Sequence, residues 1–554
     1  MRRVRVALGV GLAALLCNAS VRAQLAPQIN PGAIQNDIDR QRQQFEQQSQ
    51  PPKLQGPGVV GGEREKPAIL KPGGPKFLLR KVQFDSSKFI TPEELDEIAK
   101  KYVGKDADIA TLQQLVSDIN AVYAERGIVT GIATLPEQDA NGGNVRVKLT
   151  EGRLQKTTIE GNKQTSTFYI LQRVKEPEGE ILDVPKLNRD VIWFNRTNDV
   201  QIKALLQPGT SFGLTDLQFA VIEPPTDTLQ LFYDNQGVQN TGRLQGGMYY
   251  RHHGLFGVDD RLTFYGVRSD GNLNGNLAYN IPVNPWGGRA GVSYTQGQIK
   301  VIQGPFVALN VNGRSTQGSV NFSQPIWVTQ NWLLLLNAAQ TEGNTLSRFA
   351  AVAVTSDHYL KTTGGFALTN SGNNYAINVS PSMNYIEWHD HILQGNRTFN
   401  TYTGSATATA TGPANFSGTV MGSWQYSPTK LLPGDQIFSI GGPTTVRGYP
   451  TNAVAGDSGY YLNAELHYNW SAILKGLDTY IFTDWGAVFS TFPGIVELSS
   501  VGAGFSWTVA PSITIEGSYA TPLKMAISTQ RHWEAYGRFV FRPLLMFPKQ
   551  NAPG

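Results

Sequence analysis

The chain has 554 residues, more than one compact domain holds, so two or more units are expected. Only 16% of residues are charged, 58 are glycine, and the mean hydropathy is −0.25. Beyond the first 25 residues no run offers the ~18 consecutive apolar residues of a membrane helix, which leaves a barrel as the membrane-spanning option, because only alternate residues of a barrel strand face lipid.

Residues 1–23 read as a secretory leader. Arg2, Arg3 and Arg5 precede the apolar run Val6–Leu16, and Val21-Arg22-Ala23 ends on a small residue. Cys17 raises a lipoprotein reading, which the bulky Leu16 before it disfavours. The leader carries four of the 47 Lys and Arg residues and no acid, so the rest of the chain balances 43 bases against 43 acids. The net positive charge therefore belongs to the leader, and nucleic-acid binding loses its main support. Cys17 is the only cysteine, so the processed chain has no disulfide, thiol nucleophile or cysteine metal cluster.

Residues 24–48 are Gln-rich, and Ile34 and Ile38 share one helical face of an otherwise polar segment. Two readings stand: a disordered tail, or a plug-like helix resting in a water-filled lumen. Residues 49–75 carry many Pro and Gly and no periodicity, which reads as a linker. At roughly 3.3 Å per extended residue it is long enough to cross a barrel.

Residues 76–151 and 152–225 read as two small α+β domains of one pattern, strand–helix–helix–strand–strand. In the first, strand Phe77–Phe84 is followed by a helix from Thr91 to Val103. Thr91 and Glu94 form a capping box there, with Pro92 at the first helical position. Leu112, Leu115, Val116, Ile119, Val122 and Tyr123 give a second helix its apolar stripe, which Gly127 ends. Strands Thr130–Pro136 and Asn144–Leu149 complete it. The second domain runs strand Leu154–Ile159, helices Thr165–Val174 and Pro185–Asn195, and strands Val200–Leu206 and Thr215–Ile222. The repeated pattern resembles a pair of POTRA domains, the periplasmic modules of outer-membrane assembly and secretion barrels.

Residues 226–547 change style to segments of ~10 residues with alternating polarity. Val501, Ala503, Phe505 and Trp507 face one way and Gly502, Gly504, Ser506 and Thr508 the other. About sixteen such antiparallel segments predict a closed transmembrane β-barrel, in which every backbone group is paired as the bilayer requires. Segment eleven begins near Phe416 and segment twelve near Ser458, so the sixth external loop lies between them, with residues 428–457 folding inward. It carries Val446-Arg447-Gly448-Tyr449. In segment thirteen, Leu477, Ile481, Trp485 and Ala487 take the apolar face, which turns Asp478, Tyr480, Phe482 and Asp484 to the lumen. An inward loop would bring Arg447 against Asp484 in a charge-assisted bond.

Val446-Arg447-Gly448-Tyr449 resembles the conserved-loop motif of the two-partner secretion transporters, within the outer-membrane assembly-factor superfamily. These include the haemolysin secretion/activation and filamentous-haemagglutinin exporter types. Phe482-x-Asp484-x-Gly486 resembles their strand motif. The resemblance spans the processed chain and implies ATP-independent export of one large, unfolded, β-helical exoprotein. It also implies that the POTRA pair captures the client's N-terminal secretion domain, that the plug helix leaves, and that the inward loop supports the conducting state. Barrel assembly machinery would insert such a protein among outer-membrane lipids, with the POTRA-like domains in the periplasm. Haemolysin, adhesin and contact-inhibition toxin stay open as the client. A competing role for the Arg447–Asp484 pair is to stiffen the barrel without taking part in transport. A competing function is insertion of other barrels, although the best-known insertases carry more POTRA-like modules and lack the N-terminal helix and linker.

No enzymatic reading is supported, and no cofactor is expected. Serines lie in no nucleophile elbow, and no phosphate-binding loop occurs. His389 and His391 share one side of a strand as a metal pair would, but the sequence offers no third ligand, so no metal is assigned. One departure from the family is the chain end, where Phe541 is followed by Arg542–Gly554 instead of closing the chain with an aromatic residue.

Overall fold

Asn30 starts the first helix of the protein. Its Oδ1 accepts hydrogen bonds from Gly32 N at 2.8 Å and Ala33 N at 3.1 Å, and Pro31 fills the first helical position. The computed structural model describes residues 26–50, 53, 58–61, 75–140, 142–490, 494–527 and 530–543. The leader read from the sequence at 1–23 lies outside them. Helix α1 runs from Pro31 to Gln48. Its Ile34, Ile38 and Phe45 pack on Phe232, Tyr249, Tyr265 and Val540 of the barrel wall. The helix therefore lies inside the barrel, and its polar faces meet a polar lumen: Gln245 donates to Gln41 Oε1 at 3.0 Å, and Gln230 donates to Ser49 Oγ at 2.6 Å.

The linker is not featureless. Strand β1 (Val59–Val60) adds in parallel to the edge of the second α+β module. Two β-branched residues between glycines suit such an edge, so the Pro/Gly-rich linker read at 49–75 carries a short strand that its lack of periodicity hid.

The first module contains β2 (Phe77–Leu78), β3 (Lys81–Phe84), α2 (Pro92–Lys100), β4 (Asp106–Ala107), α3 (Ile109–Glu125), β5 (Gly131–Thr134) and β6 (Asn144–Glu151). The single strand expected at 77–84 is split: β2 pairs with β4, while β3 pairs in parallel with β6. Thr91 and Glu94 form the capping box of α2. Leu112, Leu115, Ile119 and Tyr123 bury one face of α3 against the sheet. The second module follows with β7 (Arg153–Glu160), α4 (Thr167–Leu171), α5 (Val184–Thr197), β8 (Gln201–Pro208) and β9 (Leu214–Ile222). Its sheet order is β1-β8-β9-β7.

The barrel begins with β10 (Asp227–Asp234), β11 (Gln245–His253), β12 (Arg261–Ser269), β13 (Asn272–Pro282) and β14 (Arg289–Lys300). It continues with β15 (Val311–Val328), β16 (Trp332–Phe349), β17 (Val352–Ser371), β18 (Tyr375–Asp390), β19 (Gly395–Thr411) and β20 (Phe416–Tyr426). A small hairpin, β21 (Phe438–Ile440) and β22 (Val454–Gly456), belongs to the loop that follows. The wall is completed by β23 (Ser458–Asn469), β24 (Leu477–Phe489), β25 (Ile495–Ala510), β26 (Ile513–Pro522) and β27 (Glu534–Phe541). Sixteen antiparallel strands close on themselves, β10 against β27, through the four pairs Leu231↔Phe541 to Asp234↔Arg538. Arg538 Nε donates to Asp234 Oδ2 across this seam at 3.0 Å. The last strand ends at Phe541, and residues 544–547 of the expected barrel lie outside the described residues.

Alternation along each strand sorts lipid from lumen. Leu231, Leu277, Val292, Leu336, Ile481 and Phe539 point outward and are exposed, whereas Asp234, Asn276, Asn384 and Asp484 are buried within. Aromatic pairs mark both rims, as amphipathic rings favour the headgroup zones. Tyr402–Tyr426 and Tyr519–Trp533 lie at the outer rim, and Trp327–Trp332 stacks at 5.6 Å at the periplasmic one. No helix among the described residues is long and apolar enough to cross a membrane.

The second module is bolted to the periplasmic turns of the barrel. Asp259 has φ +61°, a conformation that Asp tolerates better than most residues. Its carboxylate accepts from the backbone N–H groups of Asp199 (3.1 Å) and Val200 (3.0 Å) and from Arg289 Nη1 (3.0 Å), and it meets His253 Nε2 at 2.9 Å. Burial opposes ionisation of the neighbouring Asp199. The charges of Arg261, Lys53 and Arg289 outweigh that effect and hold its carboxyl below the usual range. Asp199, His253 and Asp259 bring three donor atoms within metal-ligating distance of one another. Arg289, His253 and the backbone N–H groups of Asp199 and Val200 already fill the Asp259 oxygens, so the cluster works as an ion-paired joint.

Candidate functional site

The loop between β20 and β23, residues 427–457, folds into the lumen and lies between helix α1 and the wall. Ser439 on its hairpin is held by Asn452, and Asp457 Oδ1 accepts from Leu432 N at 2.8 Å to fix the base of the loop. Gly448 then turns the chain with φ +85°, a left-handed conformation that glycine adopts without steric cost. This turn directs Arg447 at β24.

Arg447 and Asp484 meet in a bidentate pair. Arg447 Nε donates to Asp484 Oδ2 at 2.7 Å and Nη2 donates to Oδ1 at 2.7 Å, while the backbone N of Arg447 reaches Oδ2 at 3.0 Å. Asp484 is fully buried (0% exposed). The third guanidinium nitrogen, Nη1, donates to Glu465 Oε1 at 2.6 Å. The guanidinium also lies over the Phe482 ring, 3.4 Å from its centroid, in cation–π geometry. Every part of the arginine is thus matched by a group on the wall, as expected for a planar fork held in a desolvated site.

The neighbouring motif residues seat the loop. Val446 is buried and packs over Gly486, where a Cβ would lie 3.0 Å from both Val446 Cγ2 and Ile440 Cδ1. Gly486 therefore leaves the wall bare at the point where the loop lies flat on it. Gly448 N donates to the Tyr536 hydroxyl at 3.2 Å, and that hydroxyl donates to Tyr449 O at 3.3 Å. Tyr449 OH lies 2.9 Å from Lys524 O and 3.0 Å from Ser499 O, bridging to β25 and the last external loop.

Glu465, His467 and Tyr536 were not singled out in the sequence. His467 Nδ1 lies 2.7 Å from Asp478 Oδ1, and its Nε2 lies 3.1 Å from Glu465 Oε2, which extends the charge chain toward the periplasm. Alternation along β23 could have found Glu465: Leu462 and Leu466 face lipid, so Asn463, Glu465 and His467 face the lumen. The other face of the loop meets the helix. Thr444 Oγ1 donates to Asp37 Oδ1 at 2.7 Å, and Asn452 Nδ2 donates to Ala33 O at 3.3 Å. One loop thus touches both the wall and the plug. His389 and His391 stand apart from this site, their rings edge to face at 4.6 Å, with His389 Nδ1 engaged by Asn396 Oδ1.

Residues 213–507, more than half the chain, match the model of the family described as haemolysin secretion/activation protein ShlB/FhaC/HecB. The chain belongs to that family. Residues 77–152 separately match the POTRA domain of ShlB type. The chain is 25% identical over 425 residues to the outer membrane transporter CdiB of Dickeya dadantii, covering 72% of this chain and 73% of that protein. It is 24% identical over 481 residues to the heme/hemopexin transporter protein HuxB of Haemophilus influenzae, covering 81% and 84%. Among solved structures, CdiB from Escherichia coli superposes with a TM-score of 0.69 at 18% identity, covering 94% of this chain and 99% of that one. CdiB from Acinetobacter baumannii gives a TM-score of 0.63 at 19% identity, covering 92% and 98%. This family member is thus an outer-membrane β-barrel transporter with periplasmic POTRA domains, and not an enzyme.

Proposed function

We propose that this transporter exports one large partner exoprotein in extended form through the barrel lumen, along the path that α1 occupies in the resting state. The observation that carries the reading is the double contact of the inward loop. The same segment that pairs Arg447 with the wall also bonds α1 through Thr444 and Asn452. Departure of the helix removes one side of the loop's support, and the Arg447–Asp484–Glu465 cluster on the other side keeps the loop from collapsing into the emptied channel. The vacated wall presents Gln230, Gln245, Asn274, Asn276 and Thr295, whose amides and hydroxyls can serve the backbone of a passing extended chain.

In this reading the POTRA modules capture the client's N-terminal secretion domain, and barrel assembly machinery inserts the transporter. No nucleotide is required, because folding of the exported chain outside the cell prevents its return. Deleting residues 24–48 and recording in planar bilayers tests the path. The expected result is a higher conductance than that of the full chain, and an unchanged conductance would exclude α1 as the plug. Co-expression with a large, repetitive, secreted protein encoded beside this gene tests the export itself.

A further inference from the structure

The two POTRA modules protect their edge strands in the same way. In the first, Asn120 of α3 uses both ends of its amide on one residue of β5: Ala133 N donates to Oδ1 at 2.8 Å, and Nδ2 donates to Ala133 O at 3.2 Å. In the second, Asn195 of α5 does the same to β8, with Ile202 N to Oδ1 at 2.8 Å and Nδ2 to Ile202 O at 2.8 Å. Strand β8 runs on past this cap to Pro208, and its next outward residue is taken by the chain's own linker. Ala204 N donates to Gly58 O at 2.9 Å, and Val59 and Val60 stand in parallel register with Ala204 and Leu205.

This seat is built for the segment it holds. Gly58 N donates to Asn188 Oδ1 at 3.0 Å, and a Cβ on Gly58 would come within 2.6 Å of Val191 Cγ1, so only glycine slips between α5 and the sheet. Val59 packs on the module's core beside these residues. Gly61 leaves the edge at φ +117°, where a side chain would meet Leu206 O at 2.7 Å. Five residues before Gly58, Lys53 Nζ donates to Asn198 O and lies 3.7 Å from Asp199 Oδ1 at the barrel mouth.

These two anchors restrain the plug. Helix α1 is ~27 Å long at 1.5 Å per residue. Four residues lie between its last residue, Gln48, and Lys53, and the five chain steps span at most ~18 Å at full extension. A withdrawal along the barrel axis therefore stops before the helix has cleared the mouth. Freed from both anchors, the chain back to Phe77 spans up to ~95 Å, and the restraint is gone.

We propose that Gly58–Gly61 is a latch strand that, with the Lys53 anchor, holds the plug helix to the second POTRA module, and that an extended segment of the exported partner frees the plug by replacing the strand on the β8 edge, which leaves only the half-exposed Lys53 contact to give way. The replacement is chemically even, since an incoming strand makes the same backbone bonds and places an apolar side chain where Val59 sits. The identity of the incoming strand rests on the export reading above, whereas the latch itself does not.

Two experiments separate them. The pair Val60→Cys and Leu205→Cys introduces a disulfide between register partners on the solvent side of the sheet, in a chain whose one native cysteine, Cys17, lies in the predicted leader. In planar bilayers without any client, the oxidised protein is expected to open at least tenfold less often than the same protein after reduction. A synthetic peptide of residues 56–62, added in excess from the periplasmic side, is expected to raise opening of the native chain severalfold, where a scrambled peptide does not. Equal opening before and after reduction, or no peptide effect, overturns the latch. In cells, export of the partner is expected to fall at least tenfold with the locked pair and to persist with either single cysteine. A locked protein that exports normally overturns the displacement step. Failure of the native chain to export defeats the export reading alone, and the bilayer results then still decide the latch.

Discussion

Replacing Arg447 by alanine removes the guanidinium that faces the buried Asp484 and the partly buried Glu465. Arg447 makes three bonds to Asp484 and one to Glu465 and covers the face of Phe482. Without it, Asp484 keeps no cationic partner among the described residues at 0% exposure, and Glu465 keeps His467. Breaking a buried pair from one side costs about 3–5 kcal/mol. At about 1.4 kcal/mol per decade, the population of the docked loop relative to undocked forms falls between about 100-fold and a few thousand-fold. The sixteen-strand ladder does not pass through this loop, so the barrel should insert and stay closed. The expected phenotype is a heat-modifiable, membrane-inserted barrel whose residues 428–457 are cut by protease added outside the cell, and which no longer secretes its partner. Arg447→Lys restores the charge without the fork and should fall between the two. If Arg447→Ala secretes normally with a protease-resistant loop, the pair is neither the loop's anchor nor part of transport. Loss of barrel insertion would instead assign it a purely structural role.

Three further outcomes follow from the same geometry. Gly448→Val places a Cβ 3.2 Å from Pro522 N on a backbone at φ +85°, so it should misdirect Arg447 and reproduce much of the Arg447→Ala secretion defect in the same protease assay. Asp259→Asn keeps the left-handed turn but removes the charge that faces Arg289 and His253. It should loosen the second module by about 3–5 kcal/mol at most and expose the chain near residues 223–226 to protease while the barrel remains inserted; unchanged resistance there would refute the joint. Deleting residues 76–150 should abolish secretion and leave an inserted barrel, and continued export by that variant would remove the first module from client capture.

Local pattern fixed much of this protein before any tertiary contact was considered. The sixteen alternating segments match sixteen strands, and those expected to start near Phe416 and Ser458 start there, because period-two alternation is a property of a strand with lipid on one side and water on the other. Alternation also turned Asp484 to the lumen, and a loop rich in glycine and proline pointed to Arg447.

Glu465 and Tyr536 complete the cluster from strands 18 and 89 residues after Arg447; alternation turns Glu465 to the lumen, but no local pattern ties either group to the arginine. Nor could the sequence show that α1 is stable. Its Gln-rich surface has no apolar stripe wide enough to fold alone, and it becomes a helix because a polar lumen receives its amides while Phe45 stacks on Phe232 at 4.6 Å. The linker is the clearest case. Gly58-Val59-Val60-Gly61 reads as tether in a Pro/Gly-rich run, and only the open edge of β8 beside α5 makes it a strand. Strand periodicity, turn chemistry and charge placement are written along the chain, whereas an edge to pair with, a lumen to fill and a second carboxylate for an arginine exist only once distant segments share a surface.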